Sequence, residues 1–292
     1  AIVLLQPLAE QMESMGEEAG RHAERVRCML MLAECYDATD QPDAAYPIAK
    51  RLMQLPLTEE EKAETTEMLI LCAYDWATLL INTRECPQQL QQAQSLLYEV
   101  LPLATGDDLH ALRKCLAFAW YVEGHLHLVV QEEGAGRRCM TEAYPLFCQI
   151  GHSTGAYLSA KAVGDASREL CELQPALEAY EKAWAAAKSA NNGGKMMELL
   201  KEKKKLYRIL GDSHDEAKIS MQMDSLVRCM NSDEATFFFH EDKGHEALEQ
   251  GNYDLAELWF KKNADIVQRN APEQMPYASL YLSDLRELYI AA

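Results

Sequence analysis

The residues best equipped for chemistry in this chain form a run of cations: Lys201-Glu202-Lys203-Lys204-Lys205, followed by Arg208. Such groups recognise a carboxylate or phosphate through charge-assisted hydrogen bonds and make no covalent bonds. Residues for bond-making are harder to assemble. The eight histidines are His22, His110, His125, His127, His152, His214, His240 and His245. His125 and His127 are two apart on a predicted helix and point to opposite sides, and His240 and His245 are five apart, so neither pair chelates one ion. They read as structural or surface histidines. Nine cysteines at wide spacing, without a CxxC, suit neither a disulfide framework nor a zinc site. Their apolar helical settings predict buried free thiols. Carboxylates abound, but none is set apart as a general acid or base. HExxH, GxSxG, GxxxxGK[ST] and GxGxxG do not occur, and Gly134-Ala135-Gly136 lacks the lysine and the preceding strand of a phosphate loop. The expectation is a protein without catalytic residues, metal or cofactor, and not an enzyme.

Composition narrows the partners. Asp and Glu total 46 against 28 Lys and Arg, a net charge of −18. That balance argues against direct nucleic-acid contact and against adhesion to anionic membranes. No apolar run approaches the roughly 18–20 residues that span a bilayer, so no membrane insertion is expected. At 48% hydrophobic and 25% charged residues the chain is composed like a folded protein. Free cysteines favour a reducing, cytoplasmic location. The chain starts at Ala1 rather than Met, and removal of an export signal would place it in the periplasm instead.

The elements that position these residues are helices. Arg21 to Tyr36 carries Val26, Met29, Leu30, Leu32 and Ala33 at helical spacing. Thr58-Glu59-Glu60-Glu61 and Ser213-His214-Asp215-Glu216 read as capping boxes. Pro56, Gly106, the run Asn191 to Gly194, Gly211, Gly251 and Pro272 are stops. Phe237-Phe238-Phe239 lies between helical flanks and reads as helix. Small residues followed by aromatics recur, as in Gly251 to Phe260 and Leu173 to Ala183. The small anchors Ala45, Ala93, Ala143, Ala176, Ala217 and Ala256 are spaced by 33 to 50 residues. A small side chain lets the second helix of a pair approach the first closely, and the following aromatic fills the groove beside it.

This pattern resembles the tetratricopeptide repeat family. The matching first-helix residues are Leu32, Ala33 and Tyr36; Gly164; Tyr207; Gly244; and Leu285 and Tyr289. Gly211, Gly251, Tyr253, Ala45, Ala176, Ala217, Ala256, Tyr180 and Phe260 match in the turn and second helix. The resemblance implies one all-α domain over 1–292, a right-handed superhelix (α-solenoid) of about six helix pairs plus a terminal helix. Tyr277, Leu280, Tyr281, Leu285, Leu288 and Tyr289 of that helix would lack a pair partner, and the chain stops at Ala292, so a fragment of a longer protein is expected. Met223-Asp224-Ser225-Leu226 is similar to helix ends in the sensor regions of Bacteroidetes signalling proteins. The implied function is binding of a protein or extended peptide in a concave groove, as the ligand-sensing region of a bacterial signalling regulator. A stand-alone adaptor with no signalling output is the first alternative, and an enzyme using the groove as its active site is the second. Anchoring Tyr207 and Gly164 at the family's first-helix positions puts Lys161, Arg168, Lys201, Lys205 and Arg208 on the groove face, where an acidic group of the partner would bind. The family's carboxylate clamp uses asparagine where this chain has Asp165 and Lys205.

Overall fold

The structure, a computed structural model, describes residues 1–14, 22–83, 86–269 and 278–291; Arg21, Pro272, Tyr277 and Ala292 fall outside them. Among the described residues every regular element is helical. The first seven helices are α1 (Ile2–Ser14), α2 (His22–Asp37), α3 (Pro42–Leu52), α4 (Glu59–Thr83), α5 (Pro87–Val100), α6 (Gly106–Val129) and α7 (Glu133–Gln149). The rest are α8 (Ser153–Glu169), α9 (Leu173–Ser189), α10 (Gly193–Leu210), α11 (Ser213–Met230), α12 (Asp233–Glu249), α13 (Tyr253–Arg269) and α14 (Ala278–Ala291), with a short 3₁₀ turn at Leu101–Leu103. They form two compact units, Ala1–His152 and Ser153–Ala292. The first holds the pairs α2–α3, α4–α5 and α6–α7, with α1 packed on α2. The second holds α8–α9, α10–α11 and α12–α13, with α14 packed on α13 and α12.

The turn inside a pair is built the same way several times. One residue enters the left-handed region: Asp40, Gln131, Cys171, Gly211 or Gly251. The next amide then reaches back five residues, as from Glu172 N to Ser167 O at 2.8 Å and from Asn252 N to Ala247 O at 2.9 Å. The predicted stops at Gly211 and Gly251 are thus left-handed caps. Of the Asn191 to Gly194 run, Asn191 takes the left-handed position and Asn192 caps α10 by accepting from the Lys195 amide, while both glycines belong to α10. Thr58 and Glu61 form their reciprocal box, Thr58 N to Glu61 Oε2 at 2.9 Å and Glu61 N to Thr58 Oγ1 at 3.3 Å. The second expected box starts one residue earlier: Asp212, not Ser213, accepts from the Asp215 amide at 3.0 Å.

The pairs are seated where a backbone without a side chain meets a ring. A Cβ added at Gly164 of α8 would lie 2.4 Å from the Tyr180 ring of α9, and one at Gly244 of α12 would lie 2.2 Å from Phe260 of α13. Tyr180 and Phe260 are fully buried, one turn beyond the buried Ala176 and Ala256. In α6–α7 two glycines share the seat. A Cβ at Gly124 would meet Gly136 O at 3.2 Å, and a Cβ at Gly136 would meet Leu128 at 2.6 Å. Ala45, Ala93 and Ala143 are buried as expected.

Ala217 is exposed, contrary to expectation. Because α11 starts from Asp212, Glu216 rather than Ala217 occupies the register of Ala176 and Ala256, and the buried face runs through Ile219, Met223 and Leu226. The cysteines are also mixed: all nine are free thiols, but only Cys28, Cys72, Cys115 and Cys139 are buried, and Cys148, Cys171 and Cys229 are exposed.

Adding one methyl at Gly164 or Gly244 forces a buried ring out of place. Gly164→Ala and Gly244→Ala should each lower stability by about 1–3 kcal/mol in urea unfolding. Gly134→Ala, whose new Cβ would have only the Arg138 guanidinium within reach at 3.9 Å, should be neutral or up to about 1 kcal/mol more stable.

Candidate functional site

In the second unit α8, α10 and α12 lie side by side as the first helices of their pairs, and charged side chains bridge them. Lys161 of α8 pairs with Asp165 at 2.8 Å and with Glu198 of α10 at 3.4 Å. Burial works against its charge, but the two carboxylates outweigh that and raise its pKa. Arg168 bonds Glu202 of α10 and, at 3.0 Å, Glu169. Lys201 of α10 pairs with Glu241 of α12 at 2.6 Å and lies over the Phe238 ring. Lys205 reaches Glu202 at 2.9 Å, and Arg208 holds Glu216 at 2.9 Å and Glu249 at 2.6 Å. The structure therefore places the five sequence-predicted cations on α8 and α10 and gives each a carboxylate partner. Lys205, at 55% side-chain exposure, and Arg208, at 39%, are the more open of them, while Lys201 is nearly covered at 12%.

Two members of this network, Lys203 and Lys204, belong to the basic run but were not placed among the groove cations. Lys203 and Lys204 are buried. Lys203 crosses to Glu181 of α9, and Lys204 reaches Asp242 at 2.6 Å and Glu246 at 3.6 Å on α12. Lys204 sits eight residues before the cap of the next helix, the place held by Gly124, Gly164 and Gly244 in other pairs. Asp165, the residue at the expected clamp position, accepts a 2.7 Å bond from the hydroxyl of Tyr180. It thus ties the ladder to the ring that seats α8 on α9.

Two groups bring three possible metal-ligand atoms within 4.8 Å of one another: Glu123, His127 and Cys139 in the first unit, and Glu241, His245 and Asp284 in the second. The second group continues the ladder onto α14. His245 Nε2 donates to Asp284 Oδ1 at 3.2 Å, its ring meets Phe260 edge-on, and Glu241 is already held by Lys201. The Asp284 bond, with the nearby Glu241 and Glu287 charges, outweighs burial and raises the His245 pKa. Leu285 and Leu288 pack the same helix against Ala256 and Phe260, while Leu282, Tyr289 and Ile290 stay exposed.

No family model and no curated protein matches the chain. Among solved structures it is similar to BtubC from P. vanneervenii, at 11% identity and TM-score 0.37, over 79% of this chain and 91% of that one. It is similar to a signal transduction ATPase with a tetratricopeptide repeat sensor from Pyrococcus horikoshii, at 13% identity and TM-score 0.45, over 92% of this chain and 39% of that one. A Rap protein complexed with competence and sporulation factor aligns at 10% identity and TM-score 0.39, over 93% of this chain and 82% of that one. By its own helix packing the chain is an all-α protein of tetratricopeptide-like helix pairs.

A histidine whose pKa is raised on folding stabilises the fold fully below its ordinary value of about 6.5, and that contribution is lost as pH rises through the raised value. Hydrogen exchange of α14 amides should therefore speed up relative to the α8–α9 pair as pH climbs past neutrality, after correction for intrinsic exchange. Asp284→Asn should flatten that dependence. A wild-type α14 whose protection is constant between pH 5 and 9 would contradict the coupling.

Proposed function

We propose that the chain is a recognition module that holds an extended peptide or a segment of a partner protein along the first-helix face of its pairs, with an acidic group of the partner at Lys161, Arg168, Lys201, Lys205 and Arg208. The observation that carries this reading is the row of part-exposed ion pairs on α8 and α10. Arg208 offers five N–H donors, and Glu216 and Glu249 engage Nε and Nη1, so donors remain for a third acceptor. Glu249 and Glu169 are well exposed, and an incoming carboxylate would replace them at small cost because exposed pairs contribute little. The deeper pair of Lys204 with Asp242 would keep the face in shape while the outer ones exchange.

The finer reading, the sensing region of a bacterial signalling regulator, rests on the resemblance at Met223 to Leu226, of which Met223 and Leu226 are buried in α11. A stand-alone adaptor would use the same face without a downstream output. Screening immobilised peptides of varied acidity tests the shared reading. Acidic extended peptides should be enriched, and Lys205→Ala combined with Arg208→Ala should weaken the best of them about tenfold or more. Equal affinity of that double variant, or selection without regard to acidity, would reject these roles.

A further inference from the structure

We propose that Glu123, His127 and Cys139 form a binding site for one divalent transition-metal ion of the zinc class. Glu123 and His127 lie four residues apart on α6 and so share a face. Cys139 comes from α7, and the glycine seat brings it in: a Cβ at Gly124 would lie only 3.1 Å from that of Cys139. One ligand atom from each residue lies within 4.8 Å of the others, and His127 Nε2 is 3.8 Å from Glu123 Oε1. A tetrahedral ion bonded at about 2.0–2.3 Å holds its ligand atoms roughly 3.3–3.7 Å apart, so closing on an ion needs only a small contraction.

The surrounding groups orient the set as metal ligands are oriented. His127 Nδ1 lies 2.6 Å from Glu132 Oε2. An ionised carboxylate only accepts, so Nδ1 carries the proton and the lone pair of the neutral ring is on Nε2, the nitrogen on the Glu123 side. Gln91 and Gln94 of α5 each donate to one oxygen of the buried Glu123, at 2.8 and 2.6 Å, and leave each oxygen a second lone pair. Cys139 is buried beside that carboxylate. Burial first, and then the Glu123 charge, push its thiol up to about 12, against a smaller opposing pull from Arg138. A bound cation would reverse that balance. As the sulfur–metal bond forms, the thiol proton leaves to solvent, and the ion gains a thiolate, an imidazole and a carboxylate. That donor set favours zinc, cobalt or nickel over magnesium or calcium. The same residues border a groove of about 790 Å³ with Trp120, Thr141 and Glu142 on its walls, so a fourth position would open to water or to a ligand's donor atom.

The Glu241, His245 and Asp284 group differs in kind. It has no sulfur, Lys201 already neutralises Glu241, and His245 spends its Nε2 on Asp284.

The test uses the full chain, stripped with chelator, dialysed and titrated with Zn²⁺ by calorimetry and with Co²⁺ by absorbance. One ion should bind per chain, and Co²⁺ should show a thiolate charge-transfer band. Cys139→Ser should abolish the band, and His127→Gln should weaken Zn²⁺ binding at least about tenfold. Asp284→Asn should leave both unchanged. Circular dichroism checks that each variant is helical, and Cys139→Ala replaces the serine variant if that one misfolds. The proposal is overturned if wild type takes up no Zn²⁺ at micromolar concentrations, if the band survives loss of Cys139, or if binding depends on Asp284 instead.

Discussion

Close approach of two helix backbones is the constraint on which each unit depends. A helix hairpin has too little surface to bury its apolar stripe alone, so its stability comes from packing density at the crossing and from stacking on its neighbours. Here the density is achieved by removing a side chain on one helix and filling the space with a ring from the other, Gly164 with Tyr180 and Gly244 with Phe260. In α6–α7 both backbones are bare, at Gly124 and Gly136. Once the crossing is fixed, the rest of each helix face has a set position, including the charged residues that bridge α8, α10 and α12. The hydroxyl of Tyr180 on Asp165 links the two levels directly.

One pair meets the constraint by another route. In α10–α11 the glycine is replaced by Lys204 and the aromatic by Ser220. A long side chain at a helix crossing would hold the backbones apart. Lys204 instead runs to Asp242 and Glu246, so the energy of the position lies in a bond between successive first helices rather than within the hairpin. A buried ammonium is tolerated only when well paired, and the two carboxylates one turn apart on α12 supply that. The α10–α11 pair is therefore attached to its neighbour by charge, where its counterparts are closed by packing.

These features explain what could be read from the sequence. The pairs, their turns and most anchors were legible, because a glycine, a small residue and an aromatic at fixed offsets have few other physical uses. Ala217 misled because alanine is common in helices, and its neighbour Glu216 holds the structural register. The basic run was visible, but not its division: side chains one and two residues apart on a helix leave in different directions, so Lys203 and Lys204 are buried while Lys205 is open. The grouping of Glu123, His127 and Cys139 was missed because two of its members share a helix face and the third comes from the partner helix. A search for paired histidines passes over that arrangement, although a Glu and a His four apart on a predicted helix was the available signal.

The most direct measurement of the packing claim is a double-mutant cycle across one crossing, with Gly164→Ala made in the wild type and in a Tyr180→Leu background and stability read by urea unfolding. If the ring is what forbids a side chain at residue 164, the alanine should cost at least about 1 kcal/mol less once the ring is gone. An equal cost in both backgrounds would show that the glycine is needed for some reason other than the helix seat, and would contradict the account.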